Sequence, residues 1–431
     1  MTSPQHPHPG LPPSASGWAA PPQPVDLAAA ATAARGRSLA PDLARGLMLL
    51  LIALANVSWW LHGVERGLTN GHPLGAEGAD LGWQLFSLVA IDGRSYPLFA
   101  FLFGYGIWQL YSRQSAAGTP MREAKRLLQR RHAWMLAFGA VHALLLWFGD
   151  IVGAYGLVGL VVTWLLLQRR DRTLQITAWV LAALLLVAGL FGLLGGFLTG
   201  ALSDDLSMLA VPAVPYPAGE SNYLLFMLMS LGTWLVSTVG QAFVLTVPLA
   251  VVLGILAARR GLLDRPREHR ALLVRIALVG IGTGWAGGAL AAAQHAGLLF
   301  DPLLSWATIG LSSATGVAGG VGYAALFGLI AAAIGDRRGI VVRALSAVGK
   351  RSLSSYLLQS VLFAPVLAAW GLGLGAPLSP LAAAGFAAGV WLVTVVVALV
   401  LDLRGRRGPA EALLRRLVYG RRPVAPPTPV A

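Results

Sequence analysis

A histidine and an aspartate stand eight residues apart in HALLLWFGDIVGAYG, residues 142–156, within a run dominated by Leu, Val and Ala. Ionisable groups are costly in apolar surroundings, and where they persist they handle protons, bind ligands or tie helices together. A neutral imidazole accepts a proton near physiological pH, so His142 is a candidate general base or acyl carrier. A hydrogen bond to a neighbouring helix is its plainer role. Asp150 is the carboxylate that would orient it. On one straight helix, eight residues separate the two groups by about 12 Å, so contact requires the chain to bend between them. Without that bend, Asp150 is a solvated loop carboxylate.

Other polar groups occur at helical spacings. Asp42, Arg45 and Asn56 share one helix face. Asp42 and Arg45 form either an i,i+3 ion pair or a ligand site at the mouth of that helix. Asn56 lies eleven residues beyond Arg45, as His142 lies eleven beyond Arg131. Both therefore sit about 17 Å into their helices, and equal depth predicts a shared cavity where Asn56 donates to an oxyanion. Ser352, Ser355, Tyr356 and Gln359 form one polar stripe, suited to substrate contact or to interhelical hydrogen bonds. Asp92 and Arg94 pair with each other, or Arg94 binds an anionic substrate group. No metal-ligand spacing, phosphate loop, nucleophile elbow or dinucleotide fingerprint stands out, so no metal site is expected. The glycines of GIGTGWAGG and GVAGGVGY predict close helix packing.

The elements that must position these groups follow from composition. The chain has 431 residues, of which 56% are hydrophobic and 12% charged. Its mean hydropathy is +0.68. Few soluble domains are so apolar, and several uncharged stretches approach the roughly 20 residues that span a bilayer. The runs are continuous rather than alternating, which predicts an all-α, polytopic membrane helix bundle and not a barrel. The chain has no cysteine. This excludes disulfides, Cys-ligated zinc, iron–sulfur clusters and thiol nucleophiles.

Ten transmembrane helices are expected, at Leu47–Leu61, Tyr96–Leu110, Ala133–Phe148, Ile151–Leu167, Leu174–Leu198, Tyr223–Ala258, Leu272–Ala293, Leu304–Ile334, Leu353–Trp370 and Leu381–Leu401. The sixth and eighth are too long for simple crossings and call for an interfacial or re-entrant piece. Residues 81–91 read as an amphipathic segment on the outer face. With the N-terminus inside, every Lys and Arg except Arg66 and Arg94 falls on the inner side. Both termini are then cytoplasmic. The net charge of +14 serves topology and anionic lipid headgroups, and no nucleic-acid partner is expected. Residues 1–34 and 423–431 read as disordered tails around a bundle domain at 35–422. No internal repeat is evident, which weakens a transporter built on inverted repeats.

Five stretches carry a family resemblance: SLAPDLARGLMLLLIALAN (38–56), DGRSYPLFAFLFGYG (92–106), HALLLWFGDIVGAYGLVGL (142–160), GKRSLSSYLLQS (349–360) and RGPAEALLRRLVYG (407–420). They resemble the YeiB family of uncharacterised bacterial inner-membrane proteins, which carry a domain of unknown function. Two departures occur. Ser354 and Ser355 replace the family's usual Thr-Asn pair before Tyr-Leu, which weakens any role for an amide next to Tyr356. GPAEALL replaces Gly-Pro-Leu-Glu followed by Trp. The family is similar to a wider group of transmembrane acyltransferases, including the heparan-glucosaminide acetyltransferases, that share an opening Asp-x-x-Arg-Gly motif. Here that motif is Asp42-Leu43-Ala44-Arg45-Gly46.

The resemblance implies a bacterial inner-membrane protein that moves an acyl group from cytosolic acyl-CoA to an extracytoplasmic glycan or lipid. Acyl-CoA is then a co-substrate, with no bound cofactor expected. Its phosphates would lie near Arg45, Arg130 and Arg131, and its acyl group near His142. Asp42, Asp92, Arg94, Tyr356 and Gln359 complete the candidate substrate contacts. A transporter or channel for protons or a small solute uses the same buried polar groups without chemistry. A non-catalytic lipid-binding protein is the third alternative.

Overall fold

The computed structural model describes residues 39–66, 71–202, 216–299, 301–335, 337 and 339–420. The two tails expected at 1–34 and 423–431 lie outside the described residues. Long apolar runs fold as helices because a helix satisfies its own backbone groups away from water. Fourteen α-helices form among the described residues: α1 (Leu39–Val57), α2 (Gly78–Ala90), α3 (Ser95–Ala116), α4 (Met121–Leu145), α5 (Val152–Leu165), α6 (Asp171–Leu202), α7 (Tyr223–Phe243), α8 (Thr246–Arg259), α9 (Arg270–His295), α10 (Trp306–Ile334), α11 (Ile340–Lys350), α12 (Ser352–Leu367), α13 (Pro380–Leu403) and α14 (Pro409–Tyr419). The described residues contain no strand, only an isolated antiparallel bridge between Arg66 and Pro73.

The chain is a multi-pass helical membrane protein. Among the described residues, seven segments are long and apolar enough to cross a membrane: α1 with the turn after it, α2 and α3 together, α6, α7, α9, α10 and α13. The expected fourth and ninth spans are the short helices α5 and α12, with 14 and 16 residues. At 1.5 Å per residue these reach only about 21–24 Å, short of the roughly 30 Å hydrocarbon layer. The third is α4, whose first half is basic. The segment expected to be amphipathic is α2.

The long sixth span is broken. Helices α7 and α8 meet at Leu245, which takes a left-handed φ of 66°. Pro248 in the first turn of α8 has no N–H to donate, so it favours a helix start there and disfavours continuation of α7. The eighth span has no break: α10 runs unbroken for 29 residues. Its glycines pack against α9, as expected. A Cβ on Gly284 would lie 2.6 Å from the Cα of Gly319, so the two backbones touch.

The bundle has a centre and a rim. Helix α1 buries Leu43, Met48, Leu49, Ile52 and Ala53 and packs on α3, α10, α11, α12 and α13. Helices α6 and α7 are peripheral, with outward side chains such as Trp179 and Val236, each 77% exposed. On the basic end, Asp402 collects Arg343 at 3.2 Å, Lys350 at 3.5 Å and Arg351 at 3.2 Å. Glu411 of α14 caps the start of α12, accepting from the amides of Leu353 at 2.8 Å and Ser354 at 3.1 Å and from the Ser354 hydroxyl.

Candidate functional site

Helix α4 stops one turn after His142. The amides of Leu146 and Trp147 both donate to the His142 carbonyl, closing the helix. The chain then doubles back through Gly149 and Asp150 into α5. This turn overrides the straight-helix arithmetic: Nδ1 of His142 lies 2.7 Å from Oδ2 of Asp150. Both side chains are almost fully buried. The Asp150 Oδ1 accepts the Gly153 amide at 2.8 Å and the Trp234 indole N–H at 3.3 Å. Two small residues allow the approach. A Cβ on Gly139 would lie 2.3 Å from the Gly153 nitrogen and 2.5 Å from Asp150 Oδ1.

A carboxylate only accepts, so Nδ1 of His142 carries the proton and Nε2 the lone pair. That Nε2 is buried and has no hydrogen-bond partner among the described residues. The ring of Tyr356, from α12, stands edge-on to His142 at 5.3 Å between centroids. Its hydroxyl accepts from the Ile151 amide at 3.4 Å. An imidazole, a carboxylate and a phenol thus meet where three helices converge.

Two cavities flank this cluster, and they share no lining residue. The first, of about 610 Å³, is basic: eight Lys or Arg residues line it against three carboxylates. Asp42, Arg45, Arg131 and Tyr356 are among its walls. The second, of about 370 Å³, is lined by apolar and neutral polar side chains, Ile151 and Asn56 among them. Helix α1 contributes Pro41, Asp42 and Arg45 of its first turns to one and Ile52, Ala55 and Asn56 of its last turns to the other, so the cavities lie toward opposite ends of the bundle. Val152 lines the basic cavity and Ile151 the neutral one. The wall between them is therefore the start of α5, beside Asp150.

The remaining candidates divide. Arg45 pairs with Asp42 at 3.6 Å and donates to the Leu102 carbonyl at 3.1 Å, at the basic cavity. Arg131 lines that cavity, whereas Arg130 is exposed and does not. Asn56 does not share a cavity with His142, which lines neither. Equal depth along two helices does not fix the direction of a side chain. Gln359 donates to the Leu49 carbonyl at 3.1 Å, tying α12 to α1, and lines neither cavity.

Arg94 is fully buried. Its guanidinium donates to the carbonyls of Leu88 at 2.9 Å, Gly284 at 3.1 Å and Asp92, clamping the α2–α3 corner to α9. It is a backbone clamp and makes no ion pair with the Asp92 carboxylate. Asp92 Oδ2 instead lies 2.8 Å from Nε2 of His72, a residue with no sequence signal because it falls in a loop. Trp234 also escaped sequence reasoning, since an indole within an apolar helix looks like ordinary packing. His62 lies outside the helices near the far end, 3.2 Å from the Leu367 carbonyl, and burial lowers its pKa.

Residues 257–421 match the family described as "Protein of unknown function (DUF418)". That stretch includes Tyr356 and one side of the basic cavity but not the His142–Asp150 pair. The chain is 27% identical over 398 residues to the uncharacterized protein YeiB of Escherichia coli (strain K12), covering 88% of this chain and 96% of the relative. It is 26% identical over 356 residues to the uncharacterized protein YxaH of Bacillus subtilis (strain 168), covering 76% and 80%. The chain is thus similar to YeiB-like proteins over most of its length and matches the DUF418 region in its C-terminal part.

Proposed function

We propose that this protein transfers an acyl group across a bacterial inner membrane, from cytosolic acyl-CoA to a glycan or lipid acceptor outside. One observation carries the reading. A buried histidine, oriented by a carboxylate and holding a lone pair on Nε2, stands in the wall between a basic cavity and a neutral one. The basic cavity suits the phosphates of coenzyme A, because guanidinium groups bind phosphate with paired donors. The positive-inside rule supports a cytoplasmic position for that cavity.

The step runs through His142. Nε2 attacks the thioester carbonyl, the N–C bond forms, the C–S bond breaks and the thiolate leaves into the basic cavity. Asp150 stabilises the charge on the imidazole through Nδ1. An acceptor then attacks the acyl-imidazole: its bond to the acyl carbon forms, the C–N bond breaks and its proton leaves on the acceptor's side. Tyr356 stands over the ring and must swing aside to admit the thioester. A proton or solute path is the second reading, favoured by the two cavities facing one wall.

Purified protein in lipid nanodiscs, given acetyl-CoA labelled in the acyl group, tests the first reading. Label should pass to protein, lipid or added glycan, and His142→Ala should abolish it. Absence of binding and transfer across several acyl-CoAs, with proton or solute flux in sealed vesicles, would move the assignment to transport.

A further inference from the structure

The two cavities differ at their rims as well as in their walls. Where a cavity meets the outside, its lining side chains are exposed. Around the basic cavity the exposed lining includes Arg113, Lys350, Arg406, Arg407 and Arg415, a rim suited to water. Around the neutral cavity, among the described residues, only Val244 and Ile309 are exposed, at 50% and 43%. Both are apolar. Val247 and Thr308, close to them in the same wall, are buried. The neutral cavity therefore opens between the α7–α8 elbow and α10, through an apolar rim.

The elbow forms one side of this opening. The Val244 amide still donates to the Gly240 carbonyl at 2.8 Å, whereas the Leu249 amide already donates to the Leu245 carbonyl at 2.9 Å. Helix α7 thus ends and α8 begins around the left-handed Leu245, and Val244 is left outside both helices. Phe243, beside it, is also exposed. On the other side, Ile309 stands in the first turn of α10. Both α7 and α10 are long and apolar enough to cross a membrane. Exposed apolar side chains on such helices face lipid, so the opening meets the bilayer.

Behind the rim the wall turns polar, with Asn56, Gln241 and Ser312 among its hydrogen-bonding groups. Its charged groups are engaged within the protein: Asp92 with His72 at 2.8 Å, and Arg94 with the carbonyls of Leu88 and Gly284. An apolar rim before a neutral polar interior matches a molecule with an apolar tail and an uncharged head. We propose that the acceptor is a membrane lipid with an uncharged, hydroxyl-bearing headgroup, which enters sideways between Val244 and Ile309 while its tails stay in the bilayer. This rests on the acyl-transfer reading and names its second substrate. Ile151, next to Asp150, lines the same cavity and brings the acyl site to its edge. In the transfer step the headgroup oxygen bonds the acyl carbon, the C–N bond to His142 breaks, and the hydroxyl proton leaves on the neutral side. The thiolate takes up a proton on the basic side, so acyl-CoA and alcohol give ester and free coenzyme A.

The test uses the full chain in phosphatidylcholine nanodiscs, with acetyl-CoA labelled in the acyl group and three acceptors. These are a monoglucosyl diacylglycerol in the bilayer, methyl glucoside in solution, and hydroxylamine as a small soluble nucleophile. Protein-dependent label should reach the glycolipid in preference to methyl glucoside, which carries the same sugar without tails. Val244→Trp and Ile309→Trp fill the opening from opposite sides. Each should lower glycolipid labelling by about tenfold or more, while hydroxylamine labelling stays within about threefold and shows that the variant folds. Val236→Trp, on the exposed face of α7 and outside the cavity lining, should change neither. Labelling of methyl glucoside as readily as the glycolipid overturns the lipid acceptor. Unchanged glycolipid labelling in both rim variants, or equal loss with glycolipid and hydroxylamine, overturns the entry route. Label on hydroxylamine alone overturns the acceptor class and leaves acyl transfer standing. Label on none of the three sinks the acyl-transfer reading itself, and this inference with it.

Discussion

The two cavities sit on either side of one short stretch of chain and differ in almost every chemical respect. The basic one is wide, rich in guanidinium groups and walled partly by the last helix, α14. The neutral one is smaller and lined by amides, hydroxyls, apolar side chains, the clamped Arg94 and a His–Asp pair. A uniform pore would present similar groups along its length. On the proposed reading the basic side takes the anionic donor and the other side the acceptor, with the His142–Asp150 pair beside the stretch that parts them. Such asymmetry is what a reaction between two unlike substrates requires.

The largest expected effect breaks both sides at once. Asp150→Asn removes the acceptor that fixes the His142 tautomer, and label transfer should fall by about 10³–10⁴-fold, as in catalytic triads. Near-normal turnover by this variant would remove the pair from the mechanism. Next come substitutions that touch one side only. Arg131→Glu should raise the KM for acyl-CoA by about 10–100-fold, through loss of a charge-assisted contact, and leave the acceptor KM unchanged. Ser312→Leu overfills the neutral cavity, so steady-state kinetics should show the reverse pattern, about a tenfold rise in acceptor KM alone. If either variant changes both constants together, the cavities do not divide the substrates.

Smaller effects probe the wall. Gly139→Ala pushes a methyl group onto Gly153 and Asp150, and the melting curve should report a loss of about 1–3 kcal/mol. Trp234→Phe deletes one of three donors to Asp150, costing about 1 kcal/mol, so turnover should fall only several-fold with both KM values intact. A change in either KM would mean that Trp234 shapes a cavity rather than the pair.

Much of the fold was legible because composition and charge asymmetry act over whole segments. Apolar length marks the helices, and Lys and Arg mark one end of the bundle. The Asp42–Arg45 pair was legible too, since three residues on a helix set two side chains side by side. The site resisted where a few residues of backbone decide the outcome. His142 and Asp150 were both visible, but helix arithmetic keeps them apart until the turn after Leu145 is known. Arg94 carried a charge that suggested a ligand, and only three-dimensional packing reveals the carbonyls that consume it. The break at Leu245 did leave a signal: a proline three residues on, inside an apolar run, marks a new first turn.

The attachment of α14 makes the basic cavity depend on a single helix cap. Leu414, Arg415, Val418 and Tyr419 form part of the cavity, and Glu411 pins this helix to the start of α12. The width of the cavity is therefore set by that cap: whatever loosens it opens one wall and leaves the His142–Asp150 pair in place.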